Sequence, residues 1–145
     1  MRVVFDANVL GPGLLLEDGV LFDVVEYWRK KRIDVFVSDH LSAELTITLE
    51  KPYWQSRFAP ERIERALLTV RRNASWVRPT PGIKSIATHW QDDIVIATAL
   101  AADAEYLVTG DKELLRLKSY RTVRIVSPLE FLEILRAEAD EGSER

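Results

Sequence analysis

Short β-branched or aromatic runs alternate with longer amphipathic stretches along this chain, and that alternation limits its fold more than any single motif does. Residues 2–5 (RVVF) and 34–37 (DVFV) read as short buried strands, and residues 122–126 as a later one rich in β-branching. Between the first two, Val20, Leu21, Val24, Val25 and Trp28 recur at helical spacing. Asp18 is the expected N-cap there, and the basic run 29–32 the expected C-terminal turn. Residues 7–19, with Gly11, Pro12 and Gly13, read as beginning in a loop. Ser38 is a good N-cap for a helix with Leu41, Leu45 and Leu49 on one face, and Pro52 marks the end of that element. Pro60 suits the first position of another helix, with Ile63, Ala66, Leu67 and Val70 inward. Trp76 and Val77 make an edge strand at best, because Pro79 and Pro81 follow. Ser127, Pro128 and Glu130 form a capping box that opens a final helix. Strands alternating with helices predict an α/β fold on a mostly parallel sheet, a class that binds ligands beyond the carboxyl ends of its strands.

Composition narrows the setting. A chain of 145 residues with a hydrophobic fraction of 47% has the material for one domain and a real core. Apolar content stops near Leu135, so we expect a domain over residues 1–136 and a polar, disordered tail over 137–145. The absence of cysteine excludes disulfides and thiolate metal sites and permits a cytoplasmic protein. No apolar run approaches the ~20 residues of a membrane span, and no signal peptide is visible. A net charge of −3 argues against broad coating of nucleic acid, though not against an enzyme that meets phosphate only beside a cation.

The chemistry concentrates around residues 91–111, QDDIVIATALAADAEYLVTGD, read as a buried helix with Asp92 and Asp93 at its start, a turn, and a strand delivering Asp111. Each carboxylate has an ordinary explanation. Asp92 and Asp93 suit a helix N-terminus, Asp6 and Asp111 suit turns after strands, and Glu44 suits a solvated helix face. Yet a parallel sheet collects Asp6, Glu44, Asp92 and Asp111 along one edge. Carboxylates crowded there raise one another's pKa unless a cation neutralises them, and an all-oxygen set suits Mg²⁺ or Mn²⁺. Phosphodiester transfer is the chemistry that most often uses such a set.

Four motifs, in this order and spacing, resemble PIN-domain proteins, in particular the toxin components of toxin–antitoxin pairs. They are Val4-Phe5-Asp6-Ala7-Asn8, Ser38-Asp39-His40-Leu41-Ser42-Ala43-Glu44-Leu45, Asp92-Asp93 before Ile96-Ala97-Thr98-Ala99-Leu100, and Leu107-Val108-Thr109-Gly110-Asp111. The resemblance reaches to about Leu135 and implies a three-layer α/β/α fold with a central, mostly parallel sheet. It further implies a Mg²⁺- or Mn²⁺-dependent endoribonuclease with Asp6, Glu44, Asp92 and Asp111 as metal-binding and catalytic residues. Counting back from Ala97-Thr98-Ala99-Leu100 puts the family's acidic position at Asp92, leaving Asp93 as a helix-start residue beside the site. Asn8 and Thr109 match positions that orient the carboxylates by hydrogen bonding; Thr109 also suits a strand for its β-branching alone. A single-stranded RNA substrate, a 5′-phosphate product, a homodimer and a neutralising antitoxin are implied in the same way. The chain departs from the family in carrying His89, Trp90 and Gln91 where some relatives have further acidic residues, and in its residues 11–18.

Two other readings fit parts of the sequence. A haloacid-dehalogenase-like phosphatase also has an acidic motif after its first strand, but Asn8 stands where it needs a second aspartate. A catalytically silent interaction module on the same fold is the other. The remaining conspicuous side chains have structural explanations at hand. The Arg62, Arg65, Arg71 and Arg72 face suits solvent. His40 reads as a first-turn helix residue and His89 as a loop residue. Trp54, Trp76 and Trp90 either close gaps between elements or stack on unpaired bases.

Overall fold

The computed structural model describes residues 1–143 and contains a six-stranded sheet in the order β3-β2-β1-β4-β6-β5. The strands are β1 (Arg2–Phe5), β2 (Asp34–Val37), β3 (Ser75–Trp76), β4 (Tyr106–Val108), β5 (Ser119–Tyr120) and β6 (Val123–Val126). Every pairing is parallel except that of β5 with β6, a short antiparallel edge that the sequence reading did not include. Successive strand residues face opposite sides, and Val3, Val4 and Phe5 of the central β1 are all fully buried. Both faces of the sheet are therefore covered, as a parallel sheet requires, and the fold is α/β with helices flanking a central sheet.

Eight helices lie between and after the strands among the described residues: α1 (Ala7–Leu15), α2 (Val20–Arg29), α3 (Asp39–Leu49), α4 (Pro52–Gln55), α5 (Pro60–Asn73), α6 (Trp90–Ala101), α7 (Lys112–Leu117) and α8 (Pro128–Ser143). Phe131 of α8 meets Phe5 edge-on, with ring centroids 6.0 Å apart, and ties the last helix to the first strand. The capping box at α8 forms as expected: Glu130 N–H donates to Ser127 Oγ, and Ser127 N–H to Glu130 Oε1. Helix α8 continues to Ser143, through most of the stretch expected to be a polar tail, whose residues 144–145 lie outside the described ones.

The clearest departure from the sequence reading is α1. Gly11, Pro12 and Gly13 lie inside a buried helix rather than in a loop. Their role is close approach. A Cβ on Gly13 would come within 2.4 Å of Val25 Cγ2 and 2.7 Å of Leu21 O, so α2 can lie against α1 only where the side chain is missing. A Cβ on Gly11 would press on Leu45 and Leu49 of α3 at 3.1 Å. Pro12 removes one donor from the helix interior, at a site held by packing on two sides. Smaller corrections follow. The N-cap of α2 is Gly19, at φ 94°, and not Asp18. Pro52 does not simply end α3 but opens the short α4. Trp54 and Trp90 lie in helices, and Trp76 lies in the edge strand, as expected.

Candidate active site

Each acidic residue reaches the carboxyl edge of the sheet by its own element. Asp6 ends β1 and caps α1, accepting a 2.8 Å hydrogen bond from Ala7 N–H on Oδ1. Asp111 follows β4 and caps α7, accepting from Glu113 N–H at 2.8 Å. Glu44 projects from the second turn of α3, which leaves the end of β2, and Asp92 from the first turn of α6. The two helices are pinned at the same level. Ser38, the N-cap of α3, is fully buried and its hydroxyl lies 2.9 Å from that of Thr98 in α6. Because Thr98 Oγ1 donates to Ile94 O at 2.8 Å, the Ser38 hydroxyl is the donor in that pair.

The strand-end residues form one hydrogen-bonded unit. Thr109, fully buried, donates to Asp6 Oδ2 at 2.8 Å and accepts from Asp111 N–H at 3.0 Å. Asn8 Oδ1 accepts from Gly110 N–H at 3.1 Å, and its Nδ2 lies 3.5 Å from Asp6 Oδ2. Thr109 and Asn8, expected to orient the carboxylates, thus both contact Asp6. Asp93 behaves differently from its neighbour. It is buried, and its two oxygens accept from three consecutive backbone N–H groups: Ser85 at 3.0 Å, Ile86 at 3.1 Å and Ala87 at 2.7 Å. It anchors the loop before α6. Asp92, by contrast, accepts no side-chain hydrogen bond among the described residues. Nor is it the N-cap, a position held by His89.

The electrostatics tie the four carboxylates together. Burial raises the Asp6 carboxyl above its ordinary value, the hydrogen bonds from Thr109 and Ala7 oppose the rise, and the charges of Asp111 and Glu44 add to it. Burial also pushes Asp92 up to about 6, with Asp111 and then Asp6 contributing and His89 opposing. Asp6 thus lies within electrostatic reach of Glu44, Asp92 and Asp111, and Asp92 of Asp111, in an arrangement carrying more negative charge than it offsets.

That surplus is the observation against which a cation is judged. Hard oxygen donors with unrelieved mutual repulsion suit Mg²⁺ or Mn²⁺. The side chains are nonetheless spread: among the described residues, no three His, Asp or Glu form a group that could hold a metal ion as they stand. Donor type and charge suit such an ion, while the spacing is that of an open set rather than a closed ligand shell.

Histidines frame the cluster, a feature the sequence reading did not extract. His40 Nε2 is buried without a hydrogen-bond partner and lies 3.9 Å from Glu44 Oε1, one helical turn along α3. Its i,i+4 spacing to Glu44 was the available signal. His89 Nε2 lies 3.9 Å from Glu113 Oε2. Trp90 stands 64% exposed at the first position of α6, its ring centroid 5.9 Å from that of His40. The expected arginine face of α5 is partly used: Arg62 donates to Leu15 O at 2.7 Å and pairs with Glu17.

The fold matches solved structures over most of its length at low sequence identity. VapBC2 from Rickettsia felis, solved bound to a DNA fragment from its promoter, aligns with a TM-score of 0.59 at 13% identity, over 88% of this chain and 98% of that one. PAE2754 from Pyrobaculum aerophilum aligns at 0.65 and 16%, over 94% and 90%. VapC20 from Mycobacterium tuberculosis, described as a Sarcin-Ricin loop cleaving toxin, aligns at 0.55 and 14%, over 84% and 98%. No curated protein matches the sequence. The sequence model of the PIN domain matches residues 2–113, which hold every element from β1 to the start of α7 and all four clustered carboxylates. The chain belongs to the PIN domain family.

Proposed function

We propose that this protein is a Mg²⁺- or Mn²⁺-dependent endoribonuclease that hydrolyses phosphodiester bonds in single-stranded RNA, as the toxin of a toxin–antitoxin pair. The carrying observation is the coupling of Asp6, Glu44, Asp92 and Asp111 at the carboxyl edge of a PIN-domain sheet, with Asp6 and Asp92 both raised by burial and by their acidic neighbours. Asp6, Glu44, Asp92 and Asp111 would hold the ion, directly or through water. When bound, such an ion lowers the pKa of a coordinated water and offsets charge on the phosphate.

The chain's own residues supply the positioning. Thr109 fixes the Asp6 carboxylate and the Asp111 backbone at once, so the two strand ends cannot move apart independently. Asn8 ties the first turn of α1 to Gly110 in the same unit. Ser38 and Thr98 hold together α3 and α6, the helices that carry Glu44 and Asp92. Similarity to structures of a VapBC complex and of a VapC toxin supports an RNA substrate and a neutralising antitoxin. The remaining parts of the reading are a homodimer, a 5′-phosphate product, a cytoplasmic setting, and a nuclease domain over residues 1–136. No described helix is long and apolar enough to cross a membrane.

One observation favours a second reading, a catalytically silent module that keeps the fold and binds RNA or protein: the spread of the acidic side chains. Family membership leaves the phosphatase alternative without support. RNA cleavage by the purified protein separates the two live readings. The nuclease reading expects cleavage with Mn²⁺, none with EDTA, and loss in Asp6→Asn and Asp92→Asn. Equal behaviour of wild type and variants, or indifference to EDTA, would refute it. Expression in a bacterial host then tests the toxin assignment, through growth arrest that disappears in both variants.

A further inference from the structure

Beside the acidic cluster lies a cleft of about 710 Å³, lined by Ile83, Lys84, Ser85, Thr88, Trp90 and Asp93 among others. Its walls are the loop before α6 and the first turn of that helix. The loop is held in place. Three of its backbone N–H groups are bound by Asp93, and Ser85 adopts φ 59°, a left-handed conformation that costs energy in a residue with a side chain. The cleft is therefore built before anything enters it.

Trp90 is its aromatic element. The ring is 64% exposed, contacts His40, and so sits one contact away from Glu44. Asp92, on the same helical turn, belongs to the acidic cluster. A base stacked on Trp90 would thus lie one side chain away from Glu44 and on the helical turn that carries Asp92. The lining combines one broad π-surface, the hydroxyl-bearing Ser85 and Thr88, and the cation Lys84. Stacking for a base, hydrogen-bonding groups for its edge and a cation for a phosphate are what an unpaired nucleotide calls for.

We infer that this cleft binds an unpaired nucleobase of single-stranded RNA, stacked on Trp90, next to the phosphate held at the acidic edge. The inference rests on the nuclease reading for its substrate, but it is tested by binding and does not need cleavage. Base–aromatic stacking sets the expected effect at about tenfold in affinity.

The probe is a fluorescein-labelled eight-nucleotide single-stranded RNA, its anisotropy followed as protein is added, with folding of each variant checked by circular dichroism. Trp90→Ala should weaken binding about tenfold, Trp90→Phe should recover most of it, and Tyr53→Ala, an exposed aromatic on α4 outside the cleft, should leave it unchanged. An RNA of the same length made of abasic nucleotides should bind wild type and Trp90→Ala alike. Unchanged binding by Trp90→Ala would overturn the inference and leave the ring to a protein contact. Equal loss in Tyr53→Ala, or no binding by wild type, would overturn it as well. Cleavage assayed on the same samples reports separately on the nuclease reading: RNA bound through Trp90 but never cut refutes the nuclease and keeps the cleft.

Discussion

The two halves of the acidic edge are built on opposite plans. On the strand side, Asp6, Asn8, Thr109 and Asp111 form a closed set of hydrogen bonds in which Thr109 donates to one aspartate and accepts from the backbone of the other. On the helix side, Glu44 and Asp92 are held only by the placement of α3 and α6. Glu44 has the His40 ring at 3.9 Å, and Asp92 is pushed up to about 6. The strand side is tied by hydrogen bonds. On the proposed reading the helix side is where a cation would be felt most. The same division separates adjacent residues: Asp93 is used up by three backbone N–H groups, while Asp92 is left free for the cluster.

The contrast can be broken from either side. The largest effect is expected from Asp6→Asn, which removes charge at the fixed centre. Mn²⁺-dependent RNA cleavage should fall by more than the 10–100-fold typical of losing an orienting partner, with the fold retained by circular dichroism. Asp93→Ala should be chiefly a stability variant. Leaving three backbone donors unpaired is expected to cost about 2–4 kcal/mol in urea unfolding. If Asp93→Ala unfolds like wild type but loses activity, the assignment of the two aspartates is reversed. Thr109→Val keeps the shape and removes the hydroxyl, so cleavage should drop about 10–100-fold, with recovery in Thr109→Ser. Equal activity in the valine variant would make Thr109 a strand residue and nothing more.

The smallest effect is the most diagnostic of the helix side. Asp92 titrates near 6 when folded against 3.8 when unfolded, so between those values the folded state binds more protons. Its contribution is therefore harmless at low pH, becomes destabilising as pH rises through that window, and stays so above it. Asp92→Asn should stabilise the metal-free protein at pH 7.5 by about 1 kcal/mol, modest because the side chain is only half-buried, and by much less at pH 4. Stability that does not change with pH between the two proteins would show that Asp92 is not strained.

Much of this was legible in the sequence, for identifiable reasons. The strands β1 and β2 are β-branched runs, the Ser127–Glu130 capping box is local chemistry, and the four acidic motifs were read from their resemblance to PIN-domain proteins. Helix α1 was not legible, because Gly11, Pro12 and Gly13 carry turn chemistry, and the packing that overrides it comes from Leu45, Leu49 and Val25 elsewhere in the chain. Asp92 and Asp93 could be ranked but not explained: the three donors that claim Asp93 belong to a loop whose return to α6 leaves no periodic trace. The start of α6 was read at the aspartates, since nothing local marks His89 as the cap in their place.

On the proposed reading, the acidic edge is a cation site whose helix side carries the response. It is tested most directly by NMR titration of the Asp92 carboxyl carbon, with and without Mg²⁺. Without the ion the midpoint should lie near 6, and with saturating Mg²⁺ it should fall below the ordinary 3.8 as the carboxylate gains a positive partner. A midpoint near 6 in both conditions would contradict the account.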